Sequence, residues 1–202
     1  MNKEEIKKFI KGFKNKRNKT IVIIDYGNVD KWKESLGWKM GVKELSQLIK
    51  NFSFGKKFLR RFYYGSDYGK SEKSRTLSLW SLAILDKAKM NRFEIVTKRV
   101  KYIHNPKNNN GFDKKCDLDV EMAVDLIKER DNYDNIVLFS GDGDLVCAVK
   151  YLKESYNKNC IVFCARGHIG REVIDAKREG FIDEILFVED FEYRLNMNRF
   201  GY

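Results

Sequence analysis

The chain has a single proline, Pro106, in 202 residues and no Gly/Ser-rich stretch. Nothing in it reads as an interdomain linker, so one domain is expected. Histidine is nearly absent: only His104 and His168 occur, which turns the search for a metal site away from imidazole-rich zinc centres. The four cysteines, Cys116, Cys147, Cys160 and Cys164, contain no C-x-x-C pair. A disulfide framework or zinc ribbon is therefore not indicated, and buried reduced thiols are expected. A zinc site from Cys160, Cys164 and His168 would need an unusual C-x3-C-x3-H spacing and is disfavoured. No apolar run approaches the roughly 20 residues needed to span a bilayer. The N-terminal MNKEEIKKFIKGFKNKRNK is charged throughout and lacks the apolar core of a secretory signal. A cytoplasmic protein without membrane contact is the expectation.

What is abundant is charge, and it is unbalanced: 40 basic against 29 acidic residues, a net +11. With 43% hydrophobic residues the composition is that of a globular domain. The basic residues thicken at Lys7-Lys8-Lys11-Lys14-Lys16-Arg17-Lys19, at Lys56-Lys57-Arg60-Arg61 and at Lys98-Arg99-Lys101. Each stretch alone reads as a solvated helix face. Together they point to a polyanionic partner.

Strand and helix signals alternate along the chain. Strands are predicted at 20–25, 58–64, 93–99, 135–140, 160–165 and 184–188, and helices at 41–52, 72–91, 118–130, 144–156 and 169–179. An additional amphipathic helix is predicted at 3–14, with Ile6, Phe9, Ile10 and Phe13 on one face. Such alternation gives an α/β fold, three layers with helices on both faces of a central, mainly parallel, Rossmann-like sheet. Two long connections are expected, 26–40 with Trp32 and Trp38, and the turn-rich 104–116. The expected organisation is a basic N-terminal helix or arm over 1–19, a single α/β domain over 20–192 and a tail over 193–202.

Against this basic background four carboxylates stand out: Asp25 in IVIIDYGNVD, Asp119 in KKCDLDVEMAVDL, and Asp142 and Asp144 in VLFSGDGDLV. Two of these segments are aliphatic runs that break into acid, the pattern of a strand buried on both faces and ending at the ligand-binding edge of an open sheet. Asp25 has no predicted helix to cap for some fifteen residues. Asp144 can serve as an N-cap for the helix that follows it, whereas Asp142 has no such role. Asp119 shares a helix face with Met122, Ala123 and Leu126, so its carboxylate is turned toward the core, a costly position unless it is paired or bound to a cation. In a sheet of order 3-2-1-4-5 the first and fourth strands adjoin, which places Asp25 beside Asp142 with Asp119 on the helix leading into the fourth strand. Oxygen-only ligation of this kind suits Mg²⁺ or Mn²⁺. Asn28 and Ser140 are candidate polar neighbours. Arg166, His168 and Arg171 follow the fifth strand and begin the next helix, where they are expected to grip substrate phosphate. Pairing of either arginine with Glu172 or Asp175 is the competing reading.

The DYGN block, the L-D-V-E-M-A-V-D helix and the S-G-D-G-D-L strand end, in that order, resemble the NYN-domain nucleases, a branch of the PIN-like ribonuclease superfamily that includes LabA-like proteins. The likeness covers about residues 20–190 and includes the closing AKREGFIDEILFVEDF. It implies a PIN-like fold and metal-dependent cleavage of RNA, with Asp25, Asp119, Asp142 and Asp144 as metal-binding acids and Asn28 and Ser140 as polar positions around them. Cys116-Asp117 departs from the family pattern, which leaves the helix ligand open between Asp117 and Asp119.

Three functions remain in view. The first is a ribonuclease hydrolysing phosphodiesters with water activated by bound Mg²⁺ or Mn²⁺. The second is a nucleic-acid-binding domain without turnover, and the third a phosphatase of the haloacid-dehalogenase type. The last requires an acid two residues after the first aspartate, where Gly27 stands. Homodimerisation stays open.

Overall fold

The computed structural model describes residues 3–15, 19–50, 58–71, 73–108 and 111–195. Lys16, Arg17, Lys56 and Lys57 of the basic stretches, the end of the predicted helix 41–52, residue 72, and the tail from 196 lie outside the described residues. So do the side chains of Ile10, Phe13 and Lys14.

A helix α1 (Lys3–Asn15) leads into β1 (Thr20–Asp25). Then follow α2 (Tyr26–Lys31), α3 (Lys33–Leu36), α4 (Val42–Ile49), β2 (Phe58–Ser66), α5 (Leu79–Met90) and β3 (Glu94–Arg99). A short ribbon, β4 (Lys101–His104) and β5 (Phe112–Lys115), precedes α6 (Asp119–Lys128), β6 (Asn135–Phe139), α7 (Val146–Tyr156) and β7 (Asn159–Cys164). The described chain ends with α8 (Arg171–Arg178), β8 (Glu184–Phe187) and α9 (Glu192–Leu195). The main sheet has six strands in the order β3-β2-β1-β6-β7-β8, and every pairing in it is parallel. The predicted α/β class and strand order are therefore the observed ones, with β1 beside β6.

Alternation along β1 divides the core. Val22 and Ile24 face one layer with Tyr26, Val29, Trp32, Leu45 and Phe62. Ile21 and Ile23 face the other with Met122, Leu126, Val149, Leu152 and Val173. A strand covered on both faces has no polar alternation, which is why Ile21–Ile24 of β1 and Ile136–Phe139 of β6 are unbroken apolar runs. Ile6 of α1 is buried in the first layer and Phe9 packs against it. On the second layer Arg61 of β2 joins the sheet to α6, its guanidinium 2.8 Å from Asp125 and 2.7 Å from Glu129.

Several boundaries differ from the sequence reading. Residues 26–40 are not an open connection: they carry α2 and α3, with Trp32 fully buried. Residues 104–116 fold back as an antiparallel ribbon in which His104 pairs with Phe112 and Lys101 with Lys115. Helix α5 starts at Leu79, not 72, because the Ser78 side chain accepts the Ser81 N–H and caps it there. Helices α7 and α8 each begin two residues later than predicted. Cys160 lies in the second core layer and Cys164 in the first, so the zinc triad with His168 does not form. Among the described residues no helix is long and apolar enough to cross a membrane.

Candidate active site

Asp25 ends β1 and also starts α2. Its Oδ1 accepts the Asn28 backbone N–H at 3.1 Å, so it does cap a helix, contrary to the sequence reading, because a six-residue helix follows it directly. Its Oδ2 accepts the Ser140 hydroxyl at 3.2 Å. Ser140 is fully buried just past β6, and its oxygen accepts the Asp142 N–H at 3.2 Å. The Asp142 carboxylate in turn accepts the Asp144 N–H at 3.3 Å. Asp142 thus has a local role that its sequence position did not disclose, bracing the turn into α7. Asp144 does not cap α7, whose cap position is Leu145 with no side-chain bond.

Asn28 lies between the two strand ends. Its Oδ1 accepts the Gly141 N–H at 3.1 Å and the Trp32 indole N–H at 2.8 Å. That leaves its amide NH₂ as the group that can donate to a ligand. Gly141 tolerates no side chain: a Cβ there would lie 1.7 Å from the His168 carbonyl oxygen. The Gly170 N–H donates to the Gly141 carbonyl at 2.7 Å, which presses the turns after β6 and β7 together. Gly143 lacks a side chain for a related reason, since a Cβ would meet Glu172 at 2.8 Å. Glu172 therefore lies against the turn that carries Asp142 and Asp144. Sequence reasoning weighed it only as an arginine partner; the glycine facing it is the signal that was available.

Asp119 is the first residue of α6, above buried Met122 and Leu126, and its N–H donates to Asp117 Oδ1 at 3.2 Å. Burial first, then the negative charges of Asp117, Asp25 and Asp142, push its carboxyl up to about 7. Burial likewise raises the Asp25 carboxyl, and Asp142 adds to the rise against the opposing hydrogen bonds from Asn28 and Ser140. Asp117 is shifted the other way, held low by the Asp119 N–H. Of the two helix acids, Asp119 is the one that feels both Asp25 and Asp142.

The structure thus brings Asp25, Asp119, Asn28 and Ser140 to the turn that carries Asp142 and Asp144, both of them exposed. It does not add the arginines. Arg166 is held by Asp190 at 2.6 Å, its backbone N–H donates to Glu189 at 2.7 Å, and its guanidinium lies over Phe187. Arg171 is 3.5 Å from Asp175 in a highly exposed pair. His168 meets the acidic turn through its backbone carbonyl.

Burial and neighbouring carboxylates both disfavour the charged forms of Asp25 and Asp119, and a hard cation with oxygen ligands relieves that. The donors present, three carboxylates with a serine hydroxyl and an asparagine amide, fit that chemistry. Among the described residues no three His, Cys, Asp or Glu side chains already stand close enough to enclose an ion.

A parallel sheet with acids at its central carboxyl edge defines a PIN-like α/β domain, and the NYN domain family matches residues 19–187. The chain belongs to that family. It is 34% identical over 84 residues to the low amplitude and bright protein LabA of Synechococcus elongatus. That match covers 42% of this chain and 45% of LabA, so the chain spans under half the relative's length. The crystal structure of a protein of unknown function from Vibrio parahaemolyticus shares the fold, with a TM-score of 0.61 at 18% identity. The superposition covers 85% of this chain and 93% of the other. Because NYN domains are typically nucleases, membership carries a nucleic-acid-related function.

Proposed function

We propose that the protein is a metal-dependent ribonuclease. The observation that carries the reading is geometric: Asp25 at the end of β1 is joined through the Ser140 hydroxyl to the turn that bears Asp142, and Asp119 at the start of α6 lies near enough to feel both charges, in a chain of net charge +11. Carboxylates gathered in this way repel one another, and a bound cation offsets that repulsion. These three carboxylates would hold Mg²⁺ or Mn²⁺, with Asp144 at the rim. When bound, the ion supplies charge neutralisation and acidifies a water for phosphodiester hydrolysis.

The remaining work belongs to the chain's own groups. Ser140 fixes the orientation of Asp25, and Asn28 joins the two strand ends while offering its NH₂ to a phosphate oxygen. Arg171, in an exposed pair of little strength, remains available to substrate phosphate. Arg166, neutralised by Glu189 and Asp190, is not assigned that role. The chain's net charge of +11 favours association with a polyanion.

The test is incubation of purified protein with single-stranded RNA, structured RNA and DNA, each with Mn²⁺ or with EDTA. Cleavage of RNA that EDTA stops supports the reading. Tight, salt-sensitive binding with no cleavage under any metal would replace it with a nucleic-acid-binding domain.

A further inference from the structure

A cleft of about 630 Å³ opens at the same carboxyl edge of the sheet, beyond β2 and β3. Three cations line it, Lys73, Arg75 and Arg99, and so do the hydroxyl groups of Ser66, Ser74 and Thr97. No carboxylate is part of the lining among the described residues. Arg99 donates to the carbonyl oxygens of Ser74 at 2.9 Å and Ser71 at 2.7 Å and lies over the Tyr68 ring. These partners are neutral, so its charge is not cancelled. Lys73 and Arg75 are exposed and form no ion pair among the described residues.

Among the described residues, nearby charges leave the cleft positive. Asp67, the acid on the adjoining loop, is 2.8 Å from Lys114 and accepts the Tyr102 hydroxyl at 2.7 Å, so the β4–β5 ribbon neutralises it. Lys98 points to the opposite side of β3, where it pairs with Glu121 at 2.7 Å. Alternation along β3 therefore puts Thr97 and Arg99 in the cleft and sends Lys98 out of it.

Register fixes the cleft relative to the acids. Asp25 pairs with Tyr63, Tyr63 with Val96, and Ser66 with Arg99 three residues further on. Three strand rises and two inter-strand spacings, each sum roughly 10 Å, separate Arg99 from Asp25 by about 14 Å along the sheet edge. That is a few nucleotides of a single strand.

We infer that this cleft binds the phosphodiester backbone of single-stranded RNA where the strand runs on from the acidic cluster. Cations held by neutral partners, hydroxyl donors and no acid among the described lining residues are the chemistry of a backbone site, without the means to read a base sequence. The inference rests on the ribonuclease reading and assigns that enzyme a second anchoring point.

The experiment measures binding of a labelled single-stranded RNA oligonucleotide by fluorescence anisotropy in EDTA, across a salt series. It compares wild type, Lys73→Ala/Arg75→Ala, and a control pair on α5, Lys87→Ala/Lys89→Ala, with circular dichroism to verify folding. Each lost phosphate contact lowers the log–log salt slope by about 0.7, so the cleft variant should be shallower by about 1.4 and bind roughly 25-fold more weakly at about 0.1 M salt. The control pair should match wild type. Equal binding by the cleft variant, or an equal loss in the control pair, overturns the inference while the ribonuclease reading stands. If wild-type protein binds no RNA, it is the ribonuclease reading that fails.

Discussion

Asn28 Oδ1 accepts the Gly141 N–H at 3.1 Å, and this one bond ties the turn after β1 to the turn after β6. The same oxygen accepts the indole N–H of fully buried Trp32. Asn28→Ala should leave both donors unmet and cost about 2–4 kcal/mol, since a buried unpaired donor costs about 1–3 kcal/mol. Urea unfolding checks it; a midpoint unchanged from wild type would show that the two turns do not depend on this bridge.

Gly141→Ala puts a methyl group where the His168 carbonyl already stands, 1.7 Å away. The two turns must separate, so the loss should be at the upper end of overpacking costs, about 3 kcal/mol or more. Gly37→Ala is the informative contrast. It has open space around it but a φ of +69°, so only backbone strain of about 1–2 kcal/mol is expected. Thermal denaturation of the two variants should rank them in that order.

Asp142→Asn keeps an acceptor for the Asp144 N–H and removes one negative charge. Stability should stay within about 0.5 kcal/mol of wild type, while Mn²⁺-dependent RNA cleavage is abolished. Turnover by the variant at the wild-type rate would remove Asp142 from the set of ion ligands.

The pH dependence follows from Asp25 and Asp119, whose carboxyls are both raised in the folded state, Asp119 to about 7. Between the ordinary carboxyl value and that point the folded chain holds more protons than the unfolded one. Stability of the ion-free protein should therefore fall as pH rises through this window. Asp119→Asn should flatten that slope. It should also raise ion-free stability near neutral pH by about 1–2 kcal/mol, a figure reduced from the full shift because the group is partly solvated. Melting curves in EDTA at acidic and neutral pH decide it. A variant less stable than wild type at neutral pH would mean that Asp119 is not under repulsion.

The strands at the centre were legible because burial on both faces forces an apolar run: Ile21–Ile24 and Ile136–Phe139 admit little else. Strand order followed from matching the alternating strands and helices to a doubly wound topology. Helix α2 was missed because YGNVDK offers only Tyr26 and Val29 as buried positions, too few for a helical period to register. The β4–β5 ribbon escaped notice because its strands, exposed over most of their length, carry lysine and aspartate instead of an apolar alternation. At the site, the acids were visible by type and position, but their supports were not. Arg166 finds Glu189 and Asp190 more than twenty residues downstream, across β8, and only the folded chain reveals that pairing. The basic cleft was half visible, since Arg99 belonged to a noted basic stretch while Lys73 and Arg75 did not.

Asp25 and Ser140 are 115 residues apart in the chain, and Asn28 and Gly141 are 113 apart. A site stitched together over such separations cannot exist in a nascent N-terminal half, however well β1 and β2 have paired. It closes only when β6 docks, which is a late, high-contact-order event. Contacts made after the folding barrier slow unfolding without hastening folding. Cation binding should therefore act as a latch on the finished domain, prolonging its native lifetime while leaving the pace of its assembly unchanged.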